Sequence, residues 1–194
     1  MRTVPKGKMK FVNVTDKNFG DIFEVSAKYE QWEYVKHHIF DMVDNYVAVV
    51  NEAYLPIPFL VYEDSKIVGY VQVNCNEERY EICKLIVHES EQNKGYGTKI
   101  LSEVMKWLSI QFGQGTVTAA YKASNLAADK LFSNAGFDRK TTEREVAASR
   151  KLPCCGTALP ESEFEKIPYV AVGEFAGKIK ESKKYPENII GDEK

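Results

Sequence analysis

A run of seven residues with two glycines, residues 92–98 (QNKGYGT), is the segment best suited to binding an anion. Gly95 and Gly97 carry no Cβ, so the backbone can approach a ligand closely. Residues 99–112 follow with apolar side chains at helical spacing. The first N–H groups of a helix have no partner within it and point at an anion along a favourable dipole. The run therefore predicts a phosphate-binding turn, with an ordinary helix-capping turn as the alternative.

Two other phosphate loops do not fit this run. A Walker A loop needs Gly-Lys-Ser/Thr after its glycines, and none follows here. A dinucleotide fingerprint needs a third glycine three residues further on and an acidic residue about 20 residues later. Neither a P-loop nucleotidase nor a dinucleotide enzyme is predicted.

A second segment, residues 125–137 (NLAADKLFSNAGF), has the pattern of a short capped helix. Ser124 or Asn125 can cap its start, and Gly136 is a natural stop. Residues 116–121, which lie between the two segments, are rich in β-branched residues and predict a strand.

In this order, the two segments resemble the signatures of the GNAT superfamily of acetyl-CoA-dependent N-acetyltransferases. Residues 92–97 match Gln/Arg-x-x-Gly-x-Gly/Ala, and residues 125–137 resemble Asn-x-x-Ala-x-x-Leu-Tyr-x-x-x-Gly-Phe. The resemblance covers about residues 9–140. It implies an α/β (α+β) GNAT fold, in which helices flank a mixed, mostly antiparallel sheet of six to seven strands.

The resemblance also implies that acetyl-CoA is the acetyl donor and assigns residues to it. Its pyrophosphate is expected at the N–H groups of the turn, and its pantetheine amides are expected to pair with the strand before the turn, as an added strand would. Asn125 matches a residue that contacts the pantetheine arm, and Phe132 can pack against that arm. The residues so assigned are Leu85, Ile86, Val87, Gln92, Asn93, Lys94, Gly95, Tyr96, Gly97, Thr98, Asn125 and Phe132.

Amide formation from a protonated amine needs a base. Glu81 is the one carboxylate in the predicted strand 80–87 and lies eleven positions before Gln92. It resembles the strand glutamate that acts as general base in the histone-acetyltransferase branch. The alternative is an exposed residue at the start of a strand.

Phe132 stands where many family members have the tyrosine that protonates the departing thiolate. Because the pKa of a thiol is only about 8.5, the thiolate can leave unassisted, or water or Tyr121 can supply the proton. The missing hydroxyl also leaves open a second function class, a catalytically silent acyl-CoA-binding protein.

The acceptor is predicted to be an amine, and a polyamine or another small cation fits the acidic, aromatic residues 30–35. Glu30, Glu33 and Tyr34 are the proposed contacts. This stretch resembles the Glu-Gln-x-x-Phe-Val segment of bacterial spermine/spermidine acetyltransferases. A solvated amphipathic helix is the alternative, and protein N-termini, lysines and aminoglycosides are comparable acceptors.

Composition predicts one globular domain over residues 1–194, with 44% hydrophobic and 28% charged residues. A formal net charge of −2 does not indicate a basic surface for binding nucleic acid, and no stretch is apolar enough for a membrane span. A cytoplasmic protein is therefore expected. The four cysteines lack the spacing of a metal site; Cys83 is expected in the core and Cys75 on the surface.

The remaining elements follow from periodicity. Residues 10–14 predict an opening strand, residues 15–25 a helix with Phe19, Ile22 and Phe23 inward, and residues 29–51 a second helical region. A hairpin is predicted around residues 63–65 and a final strand at residues 169–172. Residues 144–166 are expected to be a long loop within an atypical extension, 144–194, for which a substrate lid or a homodimer contact remains open.

Overall fold

The computed structural model describes residues 8–77 and 79–152, in which one seven-stranded sheet has helices on both faces. The strands are β1 (Met9–Asn13), β2 (Leu55–Glu63), β3 (Lys66–Asn76), β4 (Arg79–Val87), β5 (Thr116–Lys122), β6 (Asp138–Thr141) and β7 (Glu145–Lys151). The α-helices are α1 (His38–Val50), α2 (Tyr96–Phe112) and α3 (Leu126–Asn134), and three short 3₁₀ helices span Phe19–Glu24, Tyr29–Tyr34 and Glu89–Glu91.

The strand order is β1-β2-β3-β4-β5-β7-β6. All neighbouring pairs are antiparallel except β4 and β5, which run parallel. The predicted mixed, mostly antiparallel sheet is thus confirmed. The predicted hairpin joins β2 to β3, where Asp64 and Ser65 both have positive φ, 49° and 76°, as the tight turn of a two-residue hairpin requires.

The larger core lies between the sheet and α2. Ile100, Leu101, Val104 and Leu108 are buried along one stripe of this helix, as its spacing predicts, and Trp107 packs edge-on against Phe59 of β2 at 5.2 Å between ring centroids. Burial of one such aliphatic side chain contributes about 1.5–3 kcal/mol to stability. Truncating Leu108 to alanine should therefore cost about 2–5 kcal/mol, since a cavity would remain.

A β-bulge interrupts the pairing of β4 with β3. Val73 pairs with Ile82 and Gln72 pairs with Lys84, so Cys83 is an extra residue on β4. One extra residue reverses the alternation of side chains along a strand. The faces to which the residues of β4 point therefore change at Cys83.

Several sequence predictions are wrong in detail. The helix at residues 15–25 is the 3₁₀ helix Phe19–Glu24, in which Ile22 is buried but Phe19 and Phe23 are each 48% exposed. Residues 29–51 divide into a 3₁₀ helix and α1, because the backbone is extended at Val35 and His37.

The end of the described chain also differs from the prediction. Residues 145–151 are strand β7, inserted between β5 and β6, whereas a loop was expected over residues 144–166. The predicted strand at residues 169–172 lies outside the described residues. Cys75 is buried and Cys83 is exposed, the reverse of the prediction, because Cys83 follows the exposed positions Arg79 and Glu81 in the alternation of β4.

In the part of the chain that the structure describes, no helix combines the length and the apolar character that a membrane crossing requires.

Candidate functional site

A cleft opens in the middle of the sheet, where β4 and β5 separate. The two strands pair only through residues 79–81 and 116–118. Beyond this point residues 82–87 of β4 and 119–121 of β5 line a cavity of about 460 Å³. A volume of this size is typical of a small-molecule or cofactor site. The backbone of β4 that faces β5 is thus available to pair with an extended ligand.

The start of α2 forms one end of the cleft. Gly95 caps the helix in a left-handed conformation, φ 95° and ψ 0°, which an L-residue adopts only under strain. Gly97 has no such constraint: a Cβ built on it would lie 3.7 Å from Val87 Cγ2 and 3.9 Å from Leu131 Cδ1, both ordinary contacts. A methyl group fits there, but a larger side chain would extend between β4 and α3 into the cleft.

Glu91 holds the segment before the glycine turn. Its carboxylate accepts hydrogen bonds from Lys66 Nζ at 2.5 Å and Lys94 Nζ at 2.9 Å. These lysines lower the pKa of Glu91 to about 2. Next to it, Gln92 Nε2 donates to Gln31 Oε1 at 2.7 Å and to the Val87 carbonyl at 3.1 Å. The turn is therefore anchored to both β3 and β4 before any ligand binds.

The wall contributed by β5 and α3 is aromatic. The rings of Tyr121 and Phe132 stack at 5.5 Å between centroids with an interplanar angle of 12°. The Tyr121 hydroxyl donates to Asp129 Oδ1 at 3.2 Å. Burial and this carboxylate raise the pKa of Tyr121. Asn125 caps α3, since its Oδ1 accepts from the Ala128 N–H at 3.1 Å.

A buried ion pair lies on the α1 side of the cleft. Lys84 Nζ donates to Asp41 Oδ2 and, at 2.6 Å, to the Lys36 carbonyl. The side chains of Lys84 and Asp41 are only 8% and 17% exposed. His38 Nδ1 lies 3.9 Å from Asp41 Oδ2, and burial and the Lys84 charge lower the pKa of His38. Lys84 and Asp41 both belong to the cavity wall.

A chain of side-chain amides leads to Glu81. Gln72 Oε1 accepts from the Tyr70 hydroxyl at 2.9 Å and from Asn45 Nδ2 at 3.1 Å, so its Nε2 must donate. Gln72 Nε2 donates to Asn45 Oδ1 at 2.7 Å and to Asn74 Oδ1 at 2.9 Å. With its oxygen used, Asn74 turns its Nδ2 toward Glu81 Oε2 at 3.5 Å. Because an ionised carboxylate only accepts hydrogen bonds, the Nδ2 end of Asn74 is the end that faces Glu81.

Most of the residues assigned to the cofactor from the sequence line this one cavity. The cavity is lined by Leu85, Ile86, Val87, Gln92, Asn93, Gly95, Tyr96, Gly97, Thr98, Asn125 and Phe132, together with Tyr121 and Tyr34. Lys94 is outside the wall and pairs with Glu91. The Tyr96 hydroxyl points away from the cleft and donates to Glu63, so its contribution to the wall comes from the rest of the residue.

The predicted catalytic and acceptor carboxylates do not line the cavity, although each adjoins a residue that does. Glu81 is exposed and precedes Ile82, which is in the wall. Glu30 and Glu33 are exposed outside it. Glu33 Oε2 lies 3.8 Å from Lys122 Nζ, and that ammonium lies 5.8 Å from the centre of the Tyr34 ring. Lys122 therefore already occupies part of the predicted cation site.

Sequence reasoning missed four side chains that shape this region: Lys84, Gln72, Asn74 and Glu91. Three of them are polar residues within strands that are otherwise largely apolar. A buried polar residue is the informative exception in a strand, so that pattern was a usable signal. No such signal exists for Glu91, because its partners Lys66 and Lys94 lie in two different segments of the chain.

The model of the acetyltransferase (GNAT) family matches residues 19–137. The chain belongs to the GNAT acetyltransferase family. It is an acetyl-CoA-dependent N-acetyltransferase, as members of this family are. A comparison with curated protein sequences finds no match.

Solved structures share this GNAT fold at low sequence identity. The spermidine N-acetyltransferase of Vibrio cholerae, in complex with CoA and spermine, is 12% identical with a TM-score of 0.60, covering 75% of this chain and 96% of that one. The Campylobacter jejuni N-acetyltransferase PseH, in complex with acetyl coenzyme A, is 19% identical with a TM-score of 0.55, covering 75% and 99%. RimL, a ribosomal L7/L12 alpha-N-protein acetyltransferase, is 12% identical with a TM-score of 0.60, covering 77% and 96%.

The residues of the cleft fit an acetyl-CoA molecule. The unpaired edge of β4 offers backbone groups to an extended amide chain, the first turn of α2 offers N–H groups, and Gly97 leaves space between them. The N–H groups at the start of α2 suit a phosphate, and the apolar wall at Phe132 suits a pantetheine arm.

Proposed function

We propose that this GNAT enzyme acetylates the primary amine of a small cationic acceptor by direct attack, with Glu81 as the general base. The observation that carries the proposal is the exposed carboxylate of Glu81, which lies next to Ile82 of the cavity wall and faces the Nδ2 donor of Asn74. Because that donor is neutral, Glu81 can accept a proton without losing an ion-pair partner.

The donor half of the site is built largely from backbone. Bound acetyl-CoA supplies a thioester, an activated acetyl group whose leaving group is a thiolate. Residues 85–87 are proposed to pair with the amides of the pantetheine arm, and the N–H groups of residues 92–98 are proposed to hold the pyrophosphate. The anchoring of the turn by Glu91 and Gln92 means that little ordering is needed on binding.

On the acceptor side, Glu81 is proposed to remove a proton from the ammonium group, directly or through one water. The freed nitrogen attacks the thioester carbonyl, so a C–N bond forms and the C–S bond breaks. A carboxylate placed this way contributes about 10²–10⁴-fold to the rate.

Tyr121 is our proposed proton donor to the departing thiolate, since Phe132 carries no hydroxyl. In the structure the Tyr121 O–H donates to Asp129, and it would have to exchange this bond for one to sulfur. A thiolate with a pKa of about 8.5 can also leave without a proton. Tyr121 should therefore matter much less to the rate than Glu81.

The charge around the acceptor end supports a cationic amine. Glu30 and Glu33 are exposed next to Gln31 and Tyr34, which line the cavity, and Glu81 is exposed next to Ile82 of the cavity wall. Two of the lysines in the wall are paired, Lys84 with Asp41 and Lys36 with Asp44. A polyamine would have to displace Lys122 from Glu33 and the Tyr34 ring, a weak exposed contact that costs on the order of 1 kcal/mol or less.

A panel of amines tests the proposal. Thiol release from acetyl-CoA would be measured with polyamines, aminoglycosides, lysine peptides and peptides with free N-termini. We expect turnover with a small polycation, and a kcat lower by about 10²–10⁴-fold in Glu81→Gln with acetyl-CoA affinity unchanged. Glu145→Gln, at an exposed position of β7, is the matched control and should retain kcat. Retained kcat in Glu81→Gln at every pH would refute the role of the base.

A further inference from the structure

The polarity of α1 is reversed relative to an ordinary surface helix. Toward the sheet it turns His38, Asp41, Asn45 and Ala48, which are buried or half-buried and, apart from Ala48, polar. Toward the outside it turns seven large apolar residues: Ile39, Phe40, Met42, Val43, Tyr46, Val47 and Val50, each between 39% and 66% exposed. A surface helix normally buries its apolar stripe and exposes its polar one.

The inner side explains why α1 is polar there. Asp41 holds Lys84, and Asn45 completes the amide network through Gln72. The cleft therefore determines the inner face of the helix. It places no demand on the outer face, which would be polar if it met only water.

The outer face of α1 is large enough to be an interface. Aromatic residues carry about 150–250 Å² each, so Phe40 and Tyr46, at 59% and 66% exposure, present on the order of 100–150 Å² apiece. With the other five residues the face reaches roughly 600 Å², the upper end of what monomers expose in one apolar patch. Phe23, whose ring lies 6.1 Å from that of His37, extends the face at the start of the helix. About 800 Å² per partner is usual for a stable complex, and the polar rim can supply the rest.

We propose that the outer face of α1 packs against the same face of a second copy of this chain. Its central stripe, Ile39, Val43, Tyr46 and Val50, has the spacing 4-3-4 of a helix-packing seam. When two copies run antiparallel about the midpoint of this stripe, Val43 meets Tyr46 of the partner and Ile39 meets Val50. The seam is thus complementary to itself, as a two-fold interface requires.

The charges of α1 disfavour a lipid surface as the occupant. Helices that lie on membranes carry lysine or arginine along their polar side. α1 contains two aspartates, Asp41 and Asp44, and no lysine or arginine. The neighbouring Lys36 is paired with Asp44 at 3.1 Å.

Analytical ultracentrifugation of the full chain over a range of micromolar concentrations tests the proposal. We expect a reversible dimer. Val43→Lys should weaken it at least about 100-fold, because two lysines per dimer would be desolvated without partners. Val43 is 57% exposed in a single copy, so the variant should still fold and unfold cooperatively. Tyr46→Lys is a second variant with the same expectation, and Lys140→Glu, at an exposed position of β6, should remain dimeric.

Two results would overturn the proposal. A full chain that is monomeric throughout would mean that something other than a second copy covers α1. A dimer that persists in folded Val43→Lys and Tyr46→Lys would place the interface elsewhere. Neither result depends on catalysis, so this test is independent of the role assigned to Glu81.

Discussion

Breaking the buried ion pair beside the cleft should destabilise this enzyme strongly. Asp41→Asn keeps the shape of the side chain but removes the charge that faces Lys84. The ammonium would then keep the Lys36 carbonyl at 2.6 Å as a neutral partner, in a site where its side chain is only 8% exposed. An uncompensated buried charge is the expected result.

The size of the effect follows from the burial of both partners. Removing one member of a buried pair costs about 3–5 kcal/mol, and the lower end applies here because Asp41 is 17% exposed toward the cleft. Since domains are stable by only about 5–15 kcal/mol, a loss of about 3 kcal/mol is large. For a chain of this length it corresponds to a fall of roughly 6–12 °C in the melting temperature.

Lys84→Met removes the other charge, and the double variant removes both. The double variant leaves no buried charge without a partner, so it should be more stable than Asp41→Asn alone. Urea unfolding of the four proteins gives the coupling energy, which we expect to be at least about 2 kcal/mol. Additive losses, or a loss below about 1 kcal/mol in Asp41→Asn, would show that Lys84 is solvated rather than paired.

Three further outcomes are expected. Gly97→Ala should bind acetyl-CoA as tightly as the unmodified chain does, whereas the ring of Gly97→Phe should enter the cleft and weaken binding at least tenfold, or about 1.4 kcal/mol. Calorimetric titration measures both affinities. Equal affinity in a folded Gly97→Phe would contradict the cofactor assignment. Tyr121→Phe should lower kcat less than about tenfold in the thiol-release assay, and a loss as large as that of Glu81→Gln would make Tyr121 the essential acid. Glu91, whose pKa falls from 4.5 to about 2 on folding, stabilises the fold above about pH 4.5 and loses that contribution as the pH falls toward 2. The stability gap between the unmodified chain and Glu91→Gln should therefore shrink between about pH 5 and pH 3, and a constant gap would argue against the Lys66 and Lys94 pairs.

The cofactor turn and the order of the elements up to α3 were predictable because their signals are local. Gly95 and Gly97 lie within one turn of the helix that they precede, and the stripe of α2 repeats over four turns. β7 gave a weaker signal: Ala147 and Ala148 are poor strand formers, and only pairing with β5 and β6 makes this segment a strand. Tertiary context overrode propensity there.

The α1 side of the cleft was not predictable because its interacting residues are distant in sequence. Lys84 meets Asp41 across 43 positions, and Gln72 meets Asn45 across 27. Periodicity shows that α1 has an apolar side and a polar side, but it does not show which side meets the sheet. The usual assumption, apolar inward, is wrong for this helix.

The bulge at Cys83 explains how one strand serves both halves of the site. Before it, Tyr80 and Ile82 join the core under α2; after it, Leu85 and Val87 contact that core, while Lys84 and Ile86 face α1. The same strand thus offers unpaired backbone to an extended ligand and a charged side chain to the α1 side of the cleft. Backbone is common to any sequence that adopts the fold, whereas side chains are not. The family match therefore identifies the donor, and the acceptor has to be found by testing the side chains that β4 and α1 bring together.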